Sequence, residues 1–374
     1  MVDGGVLSPR DALSTLEAGA DLVAVGIGLV HTGPGLPKRI NEAIEYEAGD
    51  MDASSPSGSA PERQAWFWGA ALGLAMGIGA ALAVGISLTD VLLPYDESFL
   101  GKTRAMIEAF NPRILQFMTH DRITLAGTMV SLSILYLALS LFGSRRGHHW
   151  GQRAVTVSAC VGFATFFSFL GFGYLDPFHA FVAVILFQLF IQTLVLPLDI
   201  EIRTLNPPHL DNDRSWRLAQ WGQLVFVCQA VGLLGAGTVI LTLGMTSVFV
   251  SSDLDFLNML PSAFHAFDPQ LMPLIAHDRA TFGGMLLSSG TALLLTTLWS
   301  CRAGERWLWW TYLLVLLPPY AMTLWIHFHI GYTDTIHLLP IFAGLFVTTA
   351  GLLLSAPYLL RRGGRSGSSA TEAI

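Results

Sequence analysis

The sequence predicts an all-α polytopic membrane protein, eight transmembrane helices forming two parallel four-helix repeats behind a short βαβα segment. Three observations carry that expectation. First, 52% of the 374 residues are hydrophobic and only 13% are charged, about half the roughly 25% charge of a soluble domain. Second, apolar stretches of about 20 residues, the length that crosses a bilayer as a helix, recur eight times. Third, chemically distinctive patterns of the first half return in the second at a nearly constant offset.

Residues 1–46 alternate strand and helix patterns. VDGG closes a strand. SPRDALSTLEAGA reads as a helix with Ser8 as its N-cap, Pro9 at the first helical position and Gly19 as its stop. DLVAVGIGLV reads as a second strand, and GPGLPKRINEAIEYEA opens a further helix. Residues 47–64 are small and polar and read as a flexible linker.

The spans are expected at about 65–88, 123–143, 154–174, 179–198, 221–249, 280–300, 308–330 and 339–360. They divide into a first repeat over 65–200, a connection over 201–220, a second repeat over 221–360 and a tail over 361–374. Most connecting basic residues, among them Arg145, Arg146, Arg153, Arg302, Arg306 and Arg361, fall on one side. By the positive-inside rule that side is the cytoplasm. Both termini are then cytoplasmic, in an inner (cytoplasmic) membrane, with the lipid bilayer as the main partner. A net charge of −7 argues against nucleic acid as a partner. Cys160, Cys228 and Cys301 form no CxxC pair and suggest neither a disulfide framework nor a cysteine metal site.

The repeat rests on charged residues, which chance apolar similarity does not reproduce. NPRILQFMTHDRITLAG (111–127) matches DPQLMPLIAHDRATFGG (268–284), so His120 and His277 stand 157 apart. GYLDPFH (173–179) matches GYTDTIH (331–337), 158 apart, and Gly77 and Gly79 precede Gly235 and Gly237 by the same 158. Four spans per copy give both copies one orientation, related by an axis along the membrane normal. The glycines Gly69, Gly73 and Gly77 give span one a small face that suits close helix packing at that axis, with Gly235 and Gly237 its partial equivalent in span five.

On this topology His120, Asp121, Asp176 and His179 lie at one depth near the outer surface, mirrored by His277, Asp278, Asp334 and His337. Ionisable groups at membrane depth are costly and mark cavities, ion paths or metal sites. Three readings stand. Asp121 and Asp278 can cap the spans that follow them, while Arg122 and Arg279 form ion pairs or snorkel to headgroups. The histidines can form a proton relay. Two histidines and two aspartates per copy can also hold a metal ion, since their ligand types suit zinc, iron or manganese. ESFLGKTRAMIEAF, ahead of the first triplet, reads as an amphipathic helix on the outer surface.

The diglycine after the first strand suits close approach to a phosphate. The full stretch GGVLSPRDALSTLEAGADLVAVGIGLVHTGPGLPKRIN resembles the C-terminal end of class 2, quinone-dependent dihydroorotate dehydrogenases. That resemblance implies a fragment of a TIM barrel and an FMN phosphate held by backbone amides. Gly4 and Gly5 would serve the first loop, and Gly26, Ile27 and Gly28 the second. Gly26 and Ile27 stand where the family has Tyr-Thr, so the hydroxyl donors are missing. The family's catalytic base and flavin-ring lysine would lie upstream of Met1, in a barrel domain fused ahead of this chain. The resemblance thus implies the membrane end of a flavoprotein of pyrimidine biosynthesis that passes electrons to quinone, catalytically incomplete here. The spans themselves leave two further expectations: a transporter or membrane-embedded metal or proton-site protein using the His/Asp sets, or a structural scaffold.

Overall fold

A computed structural model describes residues 2–3, 5–33, 35–51, 65–146, 148–170, 173–195 and 207–361. Gly4, the expected linker and the C-terminal tail lie outside the described residues wholly or in large part. Among the described residues, seven helices are long and apolar enough to cross a membrane, and strand is confined to one two-stranded pairing.

The N-terminal segment opens with β1 (Val2–Asp3) and α1 (Pro9–Glu17). Ser8 caps α1 in a reciprocal box with Asp11, and Gly19 follows the helix with φ +95°. The strand expected across 21–30 is only β2 (Val23–Ala24), parallel to β1, and Gly26–Thr32 is a helix, α2. The reason is pairing. A longer strand here has no further described neighbour for its N–H and C=O groups, whereas a helix satisfies its own. Consequently Leu22, Ile27 and Val30 stay exposed. Helix α3 (Leu36–Met51) completes the segment around a small core of Val6, Ala12, Leu36 and Ile40.

The bundle contains α4 (Ala65–Leu88), α7 (Pro112–Ala138), α8 (His149–Phe169), α9 (Pro177–Val195), α10 (Arg214–Gly244), α13 (Leu271–Ser300), α14 (Arg306–Ile330) and α15 (Thr335–Leu359). Between α4 and α7 come the short α5 (Pro94–Leu100) and α6 (Arg104–Phe110), and between α10 and α13 come α11 (Ser251–Leu257) and α12 (Pro261–Phe267). The single amphipathic surface helix expected over 97–110 is thus two short helices, divided at Gly101, which sits at φ +61°. Helix α8 is long enough to span, 21 residues, but Gln152 and Arg153 in its first turns keep it outside the seven most apolar helices.

Burial identifies the centre. The apolar windows of α7 and α13 are each 61% buried, against 22–33% for the other five spans. Helices α4 and α10, expected at the axis, instead pack on the flanks of α7 and α13. Their small faces permit this. A Cβ on Gly73 would lie 3.0 Å from the Leu137 amide nitrogen, and one on Gly237 would lie 2.8 Å from the Gly283 carbonyl. The outer partners cross over: α14 packs on α7 and α8 packs on α13.

The N-terminal segment docks on the bundle end opposite the HDR triplets. Arg10 Nε meets Asp211 at 2.7 Å, Arg39 Nη1 donates to Asn212 at 2.7 Å, and Lys38 Nζ donates to the Trp299 carbonyl at 2.8 Å. Arg302 Nε pairs with Glu42 at 2.7 Å, and its Nη1 lies 3.2 Å from His148 Nδ1. Burial first, then Arg302 and Arg146, hold His148 down to about 4 from its usual 6.5. A depressed histidine stabilises the fold only while neutral. Its contribution is complete above the ordinary value and is lost as pH falls toward about 4. Acidification through that window is therefore expected to loosen α3. Amide exchange should rise there in the native chain and be flatter with pH in His148→Gln.

Candidate functional site

The HDR triplets do not sit at helix starts. Helix α7 begins at Pro112, where Asn111 caps it by accepting from the Arg113 amide at 3.0 Å. Helix α13 begins at Leu271. Each triplet therefore lies about two turns inside its helix, and neither Asp121 nor Asp278 is an N-cap. The triplets face each other across the bundle centre. Arg122 Nε donates to Asp278 Oδ2 at 2.8 Å, and Arg279 Nε donates to Asp121 Oδ2 at 3.1 Å. Arg122 also donates to the Val91 carbonyl, and Arg279 to the Val248 carbonyl at 2.5 Å and Asp253 Oδ2 at 2.6 Å. Both arginines are buried, so neither snorkels to the surface.

Two acids missed in the sequence complete this belt. Asp96 and Asp253 sit in the first turns of α5 and α11, accepting from the Leu93 and Val250 amides at 2.9 and 2.8 Å. Tyr174 donates to Asp96, and Tyr332 donates to Asp253 at 2.8 Å. Burial pushes the Asp96 carboxyl up, against the opposing pull of Tyr174, the Leu93 amide and Arg122. A signal existed: Asp96 and Asp253 stand 157 apart, and both tyrosines belong to the GYxDxxH stretches. Asp176 and Asp334 lie at the starts of α9 and α15, each accepting from an amide three residues on, His179 and His337, at 2.8 Å.

The histidines gather in two groups. His120 Nε2 lies 3.1 Å from His327 Nε2, and one ring nitrogen from each of His120, His327 and His337 lies within 4.8 Å of the other two. Placing His327 in this group depends on α14 packing against α7, which the sequence alone does not reveal. In the second group His179 Nδ1 meets His277 Nε2 at 3.0 Å, with Phe169 beside it, ring centroids 5.6 Å apart. Phe169 precedes His327 by 158 residues. The expected quartets are therefore not two compact clusters: Asp121 and Asp278 serve the arginines of the opposite triplets, and Asp334 is an exposed cap.

A cavity of about 170 Å³ opens between α4, α7, α8, α9 and α13. Its walls are apolar, with Leu72, Met76, Met129, Phe163, Val182 and Leu186 among them, while Tyr95, Arg122, Asp176, His179 and Asp278 form a polar region. Tyr95 donates to Asp176 at 2.9 Å. The corresponding helices of the second half close up. Tyr320 accepts from Gln229 and abuts Gly344, whereas Gly162, 158 residues before it, lines the cavity.

Of the glycines expected at a phosphate, Gly4 lies outside the described residues, and Gly28 is packed against the chain's own backbone. A Cβ on Gly28 would lie 2.2 Å from the Val6 carbonyl, so the chain's own backbone occupies that close approach. Gly26 and Ile27 open the seven-residue α2, and Gly5 is exposed.

Comparison with known proteins gives a partial match. Over 41 residues the chain is 56% identical to dihydroorotate dehydrogenase (quinone) from two strains of Chloroflexus aurantiacus. The match covers 11% of this chain and 11% of each relative, so the chain spans about a tenth of the length of the curated relatives it matches. No protein-family model matches the chain, and no solved structure matches it.

Proposed function

We propose that this chain is the membrane-spanning part of a quinone-linked dehydrogenase system and binds an isoprenoid quinone between α4, α7, α8, α9 and α13. The cavity carries this reading. Its apolar, phenylalanine-rich wall suits an isoprenoid tail and a planar ring. In its polar region the carboxylates Asp176 and Asp278 outnumber Arg122, which disfavours anionic lipid heads and leaves a neutral head as the better fit. His179 and the Tyr95–Asp176 pair supply groups that exchange protons with a quinol.

The likeness to dihydroorotate dehydrogenase (quinone) supports the same setting. The exposed Leu22, Ile27 and Val30 suit the face that the rest of a barrel domain would cover. The N-terminal segment is read as cytoplasmic, because Arg145, Arg146, Arg302 and Arg361 belong to its end of the bundle. Helix α8 is read as an eighth span, and the matching contacts of Arg122 and Arg279 support two like-oriented repeats. The cavity and the cytoplasmic segment then lie at different depths, and a quinone mobile in the bilayer is a carrier that can link them.

Lipid extracted from the purified protein is expected to contain quinone near one per chain. Ala183→Phe narrows the cavity at a lining residue and should cut that content about tenfold or more, given about 1–3 kcal/mol for overfilling. Val231→Phe, at an exposed position, should leave it unchanged. Equal quinone in both variants would remove the reading.

A further inference from the structure

We infer that His120, His327 and His337 form a binding site for one divalent transition-metal ion. The site is separate from the quinone cavity and does not depend on it.

The partners of each ring fix where its protons sit. His120 Nδ1 lies 3.0 Å from Asp121 Oδ1, a carboxylate oxygen already bound into the arginine belt through its partner oxygen. An ionised carboxylate only accepts, so Nδ1 carries the proton. His327 Nδ1 lies 2.7 Å from the Thr323 carbonyl, which also only accepts, so this Nδ1 carries a proton too. A neutral imidazole has one N–H. Both Nε2 atoms therefore present lone pairs, and they face each other at 3.1 Å in a buried setting. Two lone pairs at that distance repel unless a cation joins them.

Geometry and chemistry select a metal ion over a shared proton. Metal–imidazole bonds of ~2.0–2.1 Å in a tetrahedral site separate two ligand nitrogens by about 3.3 Å, close to the 3.1 Å found. A third imidazole, His337, stands beside the pair, with one nitrogen of each ring within 4.8 Å of the other two; a proton bridge uses only two. The other face of each ring is held as metal-bound histidines usually are, one by a carboxylate and one by a backbone carbonyl. His337 Nδ1 is steadied by the Tyr332 hydroxyl at 3.1 Å. Imidazole donors suit zinc, copper, iron and nickel. Three histidines leave a fourth position for water or a substrate atom.

The other half is an internal comparison. His277 and His179 match His120 and His337, but Phe169 stands where His327 would be. There Asp278 gives its carboxylate to Arg122, and His277 Nδ1 has no hydrogen-bond partner among the described residues. Neither ring is fixed with its lone pair toward the other, so His179 and His277 form an ordinary hydrogen bond. The second group lacks both the third ligand and the carboxylate support.

Zinc titration of the full chain, purified in detergent without a histidine tag or chelator, tests the site. One zinc per chain is expected. His327→Phe, which copies the other half, should weaken binding by about 100-fold or more, and so should His337→Ala at the partly exposed edge. His179→Phe should leave zinc binding unchanged, and unaltered thermal unfolding of the metal-free variants separates ligand loss from misfolding. Cobalt substitution should give a visible tetrahedral spectrum that His327→Phe abolishes. Zinc that fails to bind, or that binds equally well to His327→Phe and His337→Ala, overturns the inference.

Discussion

Asp278→Ala is expected to destabilise the protein by about 3–5 kcal/mol, the usual cost of leaving a buried charge without its partner. Arg122 is buried, and Asp278 Oδ2 at 2.8 Å is its closest carboxylate; Asp96 lies at 4.0 Å. The Val91 carbonyl still accepts from the guanidinium, but a dipole does not neutralise a charge at membrane depth. Removing both partners is a different experiment. In Arg122→Met with Asp278→Leu the close pair leaves together, Asp96 keeps its bonds from the Leu93 amide and Tyr174, and most of the lost stability should return. Denaturant unfolding of detergent-solubilised protein measures both. A single-variant loss below about 1 kcal/mol would mean that the pair behaves as a solvated surface bridge.

The second large effect is expected from Gly283→Val. A Cβ at Gly283 would lie 2.3 Å from the Leu241 amide nitrogen and 2.9 Å from the Gly237 carbonyl. Both obstacles are backbone, so no rotamer change relieves them, and α10 must move off α13. The cost should reach or exceed the roughly 1–3 kcal/mol of ordinary overpacking, because close approach of small residues is what holds helices together in lipid. Gly235→Ala is the contrast. Nothing lies within 4 Å of its added carbon, so its effect should stay within about 0.5 kcal/mol. Thermal unfolding of the two variants side by side gives the answer; equal midpoints would contradict the close α10–α13 contact.

The membrane-helical character of the chain was legible because a helix in lipid announces itself by length and apolarity alone. The N-cap at Ser8 was equally plain, since a capping box is a local sequence pattern. Boundaries were less so. The triplets contain three polar residues, which a hydropathy reading places outside a span, yet α7 and α13 continue through them because Arg122 and Arg279 find carboxylates across the bundle. That compensation is tertiary and has no local signature. GIGLV read as a strand because its apolar residues suit one, but strand needs a neighbour, and Gly26–Thr32 became helical instead. Among candidate ligands, His120 and His337 were visible from their spacing. His327 was not, because Phe169 occupies the matching position and only the packing of α14 on α7 brings its ring to His120.

The crossed arginine–aspartate belt also bears on how the chain is made. Arg122 leaves the ribosome 156 residues before Asp278, and Asp121 precedes Arg279 by 158. Throughout that interval the early helices carry opposite charges whose counterparts are not yet synthesised. The native pairing of both arginines is therefore complete only once α13 is present, packed against α7 and α8.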